Sequence, residues 1–192
     1  KDALEVIVET INQTKYKLNR DVFLGLDVAA SEFYTPDKYV IKDTADPLSA
    51  KGLLEYYAQL DSEYHLISLE DPFHQDDWQN WATITQQLPG VMVVGDDFLA
   101  TNKDRLIKAI TQKAANAILV KPNQVGTISE TVEVIRIAKQ ANWKVIVSHR
   151  SGETTDDFIA DFAVGLDADY TKFGAPSRGE RVIKYNRLLQ IE

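Results

Sequence analysis

Residues 145–158 read VIVSHRSGETTDDF. An apolar, β-branched run suited to a buried strand stops at Ser148 and gives way at once to His149, Arg150, Ser151 and Gly152. Five further runs have the same form: VFLGLD at 22–27, LISLED at 66–71, VMVVGDD at 91–97, AILVKP at 117–122 and the weaker DYTKFG at 169–174. They are nearly continuous in apolar residues rather than alternating, the pattern of parallel strands covered on both faces. Between them lie stretches with helical spacing, such as Leu4, Ile7, Val8 and Ile11, or Val132, Ile135 and Ala138, the latter opened by a capping box from Thr127 to Glu130. Successive strands are mostly about 26 residues apart, the length of one βα unit, and no linker or low-complexity segment interrupts them. The chain therefore reads as one α/β domain over residues 1–192. Only residues 34–50 form a longer excursion, with an extended piece at Tyr39 to Ile41, expected on the surface near one end of the sheet. Six strands fit either an open doubly wound sheet or an incomplete (β/α)8 barrel, and no GxGxxG or Walker loop favours the open form.

Composition narrows the chemistry. Of 192 residues 44% are hydrophobic and 26% charged, which suits an ordinary globular protein. Twenty-one basic against 29 acidic side chains give a net charge of -8, which repels polyanions, so nucleic acid is not an expected partner. There is no cysteine, so a metal would be held by oxygen or by the three histidines. No apolar run approaches the roughly 20 residues that span a bilayer, and a cytoplasmic protein is expected. The first residue is Lys1, not methionine, which hints at a fragment.

Each apolar run ends in a charged or polar residue: Asp27, Glu70 with Asp71, Asp96 with Asp97, Lys121, His149 with Arg150, and Lys172. In a parallel sheet with right-handed crossovers these ends share one side, where barrel enzymes carry their active sites. A single aspartate after a strand is commonly a helix cap. Three carboxylates at consecutive strand ends would repel one another if buried together, and a divalent cation, Mg²⁺ by preference for carboxylate oxygen, resolves that repulsion. Neighbouring side chains on a strand point to opposite faces, which assigns Glu70 and Asp96 inward and leaves Asp71 and Asp97 as capping or supporting groups. Lys121 emerges beside these carboxylates, where desolvation and a dication would lower its pKa enough for it to act as a base. Lys172 suits an anion-binding cation. His149, Arg150 and Ser151, with free backbone amides in the turn before a helix over 156–165, suit an oxyanion or phosphate cradle. His65 and His74 lack such a setting and stay outside the site.

The strings LGLDVAASEFY, SLEDPFHQDDW, VVGDDFLATN, LVKPNQVGT, SHRSGETTDDFIADFAVG and KFGAPSRGERVIKYNRLL resemble, in order and spacing, the C-terminal barrel of the enolase (phosphopyruvate hydratase) family. The resemblance implies a TIM-type (β/α)8 barrel of about six βα units here, without the family's N-terminal domain and first barrel strands. It implies Mg²⁺ ligands at Asp27, Glu70 and Asp96, of which Glu70 and Asp96 also touch substrate. It implies Lys121 as the base acting on 2-phosphoglycerate, Lys172 near the substrate carboxylate, and Ser148, His149, Arg150 and Ser151 as the substrate-binding segment. The expected product is phosphoenolpyruvate, and no residue of this chain matches the general acid. The partners implied are the missing N-terminal segment and further copies in a homo-oligomer. KFGAP and KPNQ depart mildly from the family's usual KTGAP and post-lysine residue. The competing readings are another acid dehydratase or racemase of the superfamily, which the phosphate-suited SHRSGET disfavours, and a non-catalytic fragment with a scaffold role.

Overall fold

All six apolar runs form parallel strands in a computed structural model that describes residues 1–42 and 46–192. The strands proper are shorter than the runs, and those that end in Asp27, Glu70, Ser148 and Lys172 keep that polar residue within the strand. The described residues fall into two compact units, Lys1–Val94 and Gly95–Glu192.

In the first unit, helix α1 (Asp2–Asn12) precedes strand β1 (Gly25–Asp27), a short 3₁₀ turn at Ala30–Phe33, and a small antiparallel hairpin of β2 (Tyr34–Thr35) and β3 (Lys38–Tyr39). Helix α2 (Ala50–Tyr64), β4 (Ser68–Glu70), α3 (Trp78–Gln87) and β5 (Met92–Gly95) follow. β4 pairs in parallel with β1 on one side, Asp27 opposite Glu70, and with β5 on the other, Glu70 opposite Val94. The core is built from Leu53 of α2, Leu69 of β4, Phe73, Trp81 and Ile84 of α3, and Val93 of β5, all fully buried. Burying a side chain of this size contributes about 1.5–3 kcal/mol. In α1 only Leu4 and Ile11 of the expected apolar stripe are buried, and Ile7 is exposed.

The hairpin within residues 34–50 is not a loose surface excursion. Tyr39 is buried, packs edge-on against Phe73, and its hydroxyl accepts a 3.0 Å hydrogen bond from the His74 amide in the loop after β4. Burial, chiefly, pushes the Tyr39 phenol up to about 12. Residues 43–45 of that excursion lie outside the described residues.

In the second unit, α4 (Lys103–Gln112), β6 (Ala117–Val120), a one-turn helix α5 (Pro122–Val125), α6 (Ile128–Gln140), β7 (Lys144–Ser148), α7 (Phe158–Gly165), β8 (Tyr170–Lys172) and α8 (Gly179–Ile191) repeat the strand-helix alternation. β7 pairs in parallel with β6 on one side and with β8 on the other. The AILV of β6 is buried throughout, as a strand covered on both faces requires. Helix starts follow the side-chain caps: Asn102 accepts from the amides of Asp104 and Arg105, and Thr127 accepts from that of Glu130 as the capping motif predicts. The helix expected over 156–165 begins later, at Phe158, because the Asp156 carboxylate takes the Phe158 amide and so stands just before it.

Candidate active site

In the first unit, Asp27 and Glu70 end neighbouring strands at the same level. Asp27 is exposed, whereas Glu70 is 6% exposed. Asp71 is equally enclosed at 3%, because its backbone turns into the left-handed region, φ 44°, directly after the strand. Strict alternation of faces therefore ends at Glu70. The turn is held by the Asp71 amide donating to Val94 and the Asp71 carbonyl accepting from Ala30.

In the second unit, Asp96 follows β5 and is 8% exposed, while Asp97 beside it is exposed. The Lys121 ammonium, just past β6, forms an ion pair with Asp96 Oδ2. Two residues that strand-end reasoning passed over hold this pair. Thr101 is fully buried, and its Oγ1 accepts from the Lys121 amide at 3.0 Å and donates to Gln124 Oε1 at 2.6 Å. Gln124 in turn donates to Asp96 Oδ1 at 3.4 Å. Both Ala100 and Thr101 adopt positive φ, 48° and 52°, a conformation that costs a β-branched residue about 1–3 kcal/mol and persists only where its surroundings enforce it. The strain brings the threonine hydroxyl under the lysine.

At the end of β7, Ser148 is buried and its hydroxyl donates to the His149 carbonyl at 3.0 Å. Ser148 lies opposite Lys172, whose carbonyl accepts from the His149 amide at 3.0 Å. Arg150 is exposed and reaches Asn123 Oδ1 at 3.1 Å, and Ser151 is exposed in the turn. Free backbone amides were expected here, and for His149 and Arg150 that expectation is corrected. The first amide is used by Lys172 and the second donates to Glu153 Oε1 at 2.8 Å. An anion at this segment would meet side chains rather than those two amides.

Helix α8 holds the turn in place. Arg181 donates to His149 Nδ1 at 2.6 Å and to the carbonyls of Arg150 and Ser151 at 2.8 and 2.9 Å. Lys184, one turn further and 0% exposed, donates to the carbonyls of Thr154, Asp156 and Glu180 and pairs with Glu153 at 2.8 Å. Burial, and next the Arg181 charge, hold the His149 imidazole below its ordinary value. Burial would raise the Glu153 carboxyl, but the Lys184 hydrogen bond, the Arg150 amide and the neighbouring positive charge together outweigh it and the net shift is downward. Neither Arg181 nor Lys184 is marked by its sequence setting, since ERVIKYN reads as an ordinary amphipathic helix.

The donor chemistry suits a hard divalent cation, since the strand-end groups Asp27, Glu70 and Asp96 are all carboxylates and the chain has no thiol to favour a softer metal. No helix among the described residues is long and apolar enough to cross a membrane.

Comparison with known proteins supplies the family. Over 192 residues the chain is 47% identical to the enolase of a Nitratiruptor species, covering all of this chain and 46% of that protein. It is 45% identical to the enolase of Natranaerobius thermophilus and 44% identical to that of Acidothermus cellulolyticus, again over all of this chain and 45% and 44% of theirs. The chain thus spans less than half the length of these relatives. The family described as the enolase C-terminal TIM barrel domain matches residues 1–192. Both units carry the parallel strand-helix repeats of such a domain, and the chain belongs to that family.

Proposed function

We propose that these residues serve a phosphopyruvate hydratase, which converts 2-phospho-D-glycerate reversibly to phosphoenolpyruvate, and that residues 1–192 act as one piece of its catalytic barrel. The observation that carries the reading is the Lys121–Asp96 pair, braced by Thr101 and Gln124, in a chain of this family. A lysine amine is a usable base only when it can lose its proton, and a carboxylate whose charge is shared with a divalent cation no longer stabilises the ammonium.

Asp27, Glu70 and Asp96 would hold the Mg²⁺. When bound, the ion supplies positive charge that stabilises the anion developing as the substrate loses its proton. Lys121 Nζ takes the proton from the carbon next to the substrate carboxylate. Lys172 holds that carboxylate, Glu70 and Asp96 lie against the substrate, and Arg150 and Ser151 bind the phosphate, the guanidinium by a planar fork. His149 donates a hydrogen bond, and Ser148 braces the segment from beneath. The acid that protonates the departing hydroxide belongs to a further segment of the protein. Assembly into a homo-oligomer and a cytoplasmic location follow from the same family likeness.

Phosphoenolpyruvate formation from 2-phosphoglycerate tests the reading, assayed with the 192-residue chain and with a chain extended by the segment that completes its relatives. The extended chain should turn over in a Mg²⁺-dependent manner. Turnover of an unphosphorylated hydroxy acid with none of 2-phosphoglycerate would replace this reaction by another dehydratase. Metal and ligand binding without turnover of any acid would leave only a scaffold role.

A further inference from the structure

Arginine has five N–H donors and no acceptor. The 2.6 Å contact between Arg181 Nη1 and His149 Nδ1 therefore requires a lone pair on Nδ1, and the ring proton must sit on Nε2. The surroundings act in the same sense. Three cations act on the ring through their charge, Arg181 and Lys184 from α8 and Lys172 from β8, against one carboxylate, Glu153 of the intervening turn. An imidazolium here would be repelled three ways and would lose its bond to Arg181. Backbone shape confirms how closely the pair is fitted. Gly174 lies at φ 82°, and a Cβ on it would stand 2.8 Å from His149 Cε1 and 3.0 Å from Arg181 Cδ. The ring and the guanidinium stem occupy the space that any larger residue would fill.

We propose that Arg181 is a positioning residue that locks His149 as the neutral Nε2–H tautomer while fixing the carbonyls of Arg150 and Ser151. The segment is then set before a ligand arrives, and His149 meets an anion as a neutral donor rather than as a cation or a proton source. The functional half of this statement rests on the dehydratase reading. The tautomer does not.

Nitrogen NMR of the chain carrying ¹⁵N-histidine separates the two, because neutral imidazole tautomers differ in which nitrogen is protonated. Three histidines are present, and His149→Gln identifies the relevant signals. At neutral pH His149 should show an unprotonated Nδ1 and a protonated Nε2. In Arg181→Met it should become a mixture of tautomers and titrate closer to the ~6.5 of a free imidazole, with His65 and His74 unchanged. A protonated Nδ1 in the unaltered chain would overturn the proposal even if the variant failed to fold. So would an Arg181→Met spectrum and titration identical to those of the unaltered chain. No substrate enters this measurement, so inactivity toward 2-phosphoglycerate leaves its outcome intact.

Discussion

Thr101 shows how much rests on single atoms around Lys121. Thr101→Val keeps the shape but removes the hydroxyl, so the half-buried Lys121 amide and the Gln124 side-chain oxygen lose this partner. The expected destabilisation is about 1–3 kcal/mol, read from the urea midpoint. Gly174→Ala places a methyl against His149 and Arg181 at a φ that alanine disfavours, and should cost about 1–3 kcal/mol in the same assay. His149 adds a pH dependence of known sign. Its folded value is depressed, so the stability it contributes is complete above the unfolded value of about 6.5 and is lost as pH falls through the folded one.

Helix α8 acts at the scale of an element, because Arg181 and Lys184 on one face of it hold the turn after β7 from His149 to Asp156. Lys184→Met would leave three carbonyls and the Glu153 carboxylate without their cation. Breaking a buried pair from one side costs about 3–5 kcal/mol, and the partial exposure of Glu153 points to the lower end. The same variant should flatten the acid limb of the stability curve. The depressed Glu153 carboxyl contributes stability above its unfolded value of about 4.3, and that stability is lost as pH falls through its folded value. Chemical denaturation of both forms from neutral pH down through the carboxylate range checks this. The elements themselves were legible in the sequence, since strands covered on both faces need unbroken apolar runs and the polar residue that ends each run marks the strand terminus. The clamp was not, because the turn groups that Arg181 and Lys184 grip lie 28 to 32 residues earlier and nothing local distinguishes these two helix cations from solvated ones.

At the scale of the whole molecule, the chain carries the strand-end carboxylates, the lysines and the turn proposed to bind an anion, yet spans less than half of its relatives. That Asp27, Glu70, Asp96, Lys121 and Lys172 stand at strand ends could be read from the apolar runs alone, because each run stops at its polar residue. The left-handed turns at Asp71 and at Ala100–Thr101 could not, since positive φ is uncommon outside glycine and nothing local in these residues signals it. Thr101 and Gln124 brace the Lys121–Asp96 pair, and the central claim is that Lys121 is the base. Phosphoenolpyruvate formation by the completed protein, compared with its Lys121→Ala variant under saturating Mg²⁺, tests that claim most directly. The variant should fold, still bind the metal, and lose about 10²–10⁴-fold in turnover; turnover equal to that of the unaltered protein would contradict the assignment.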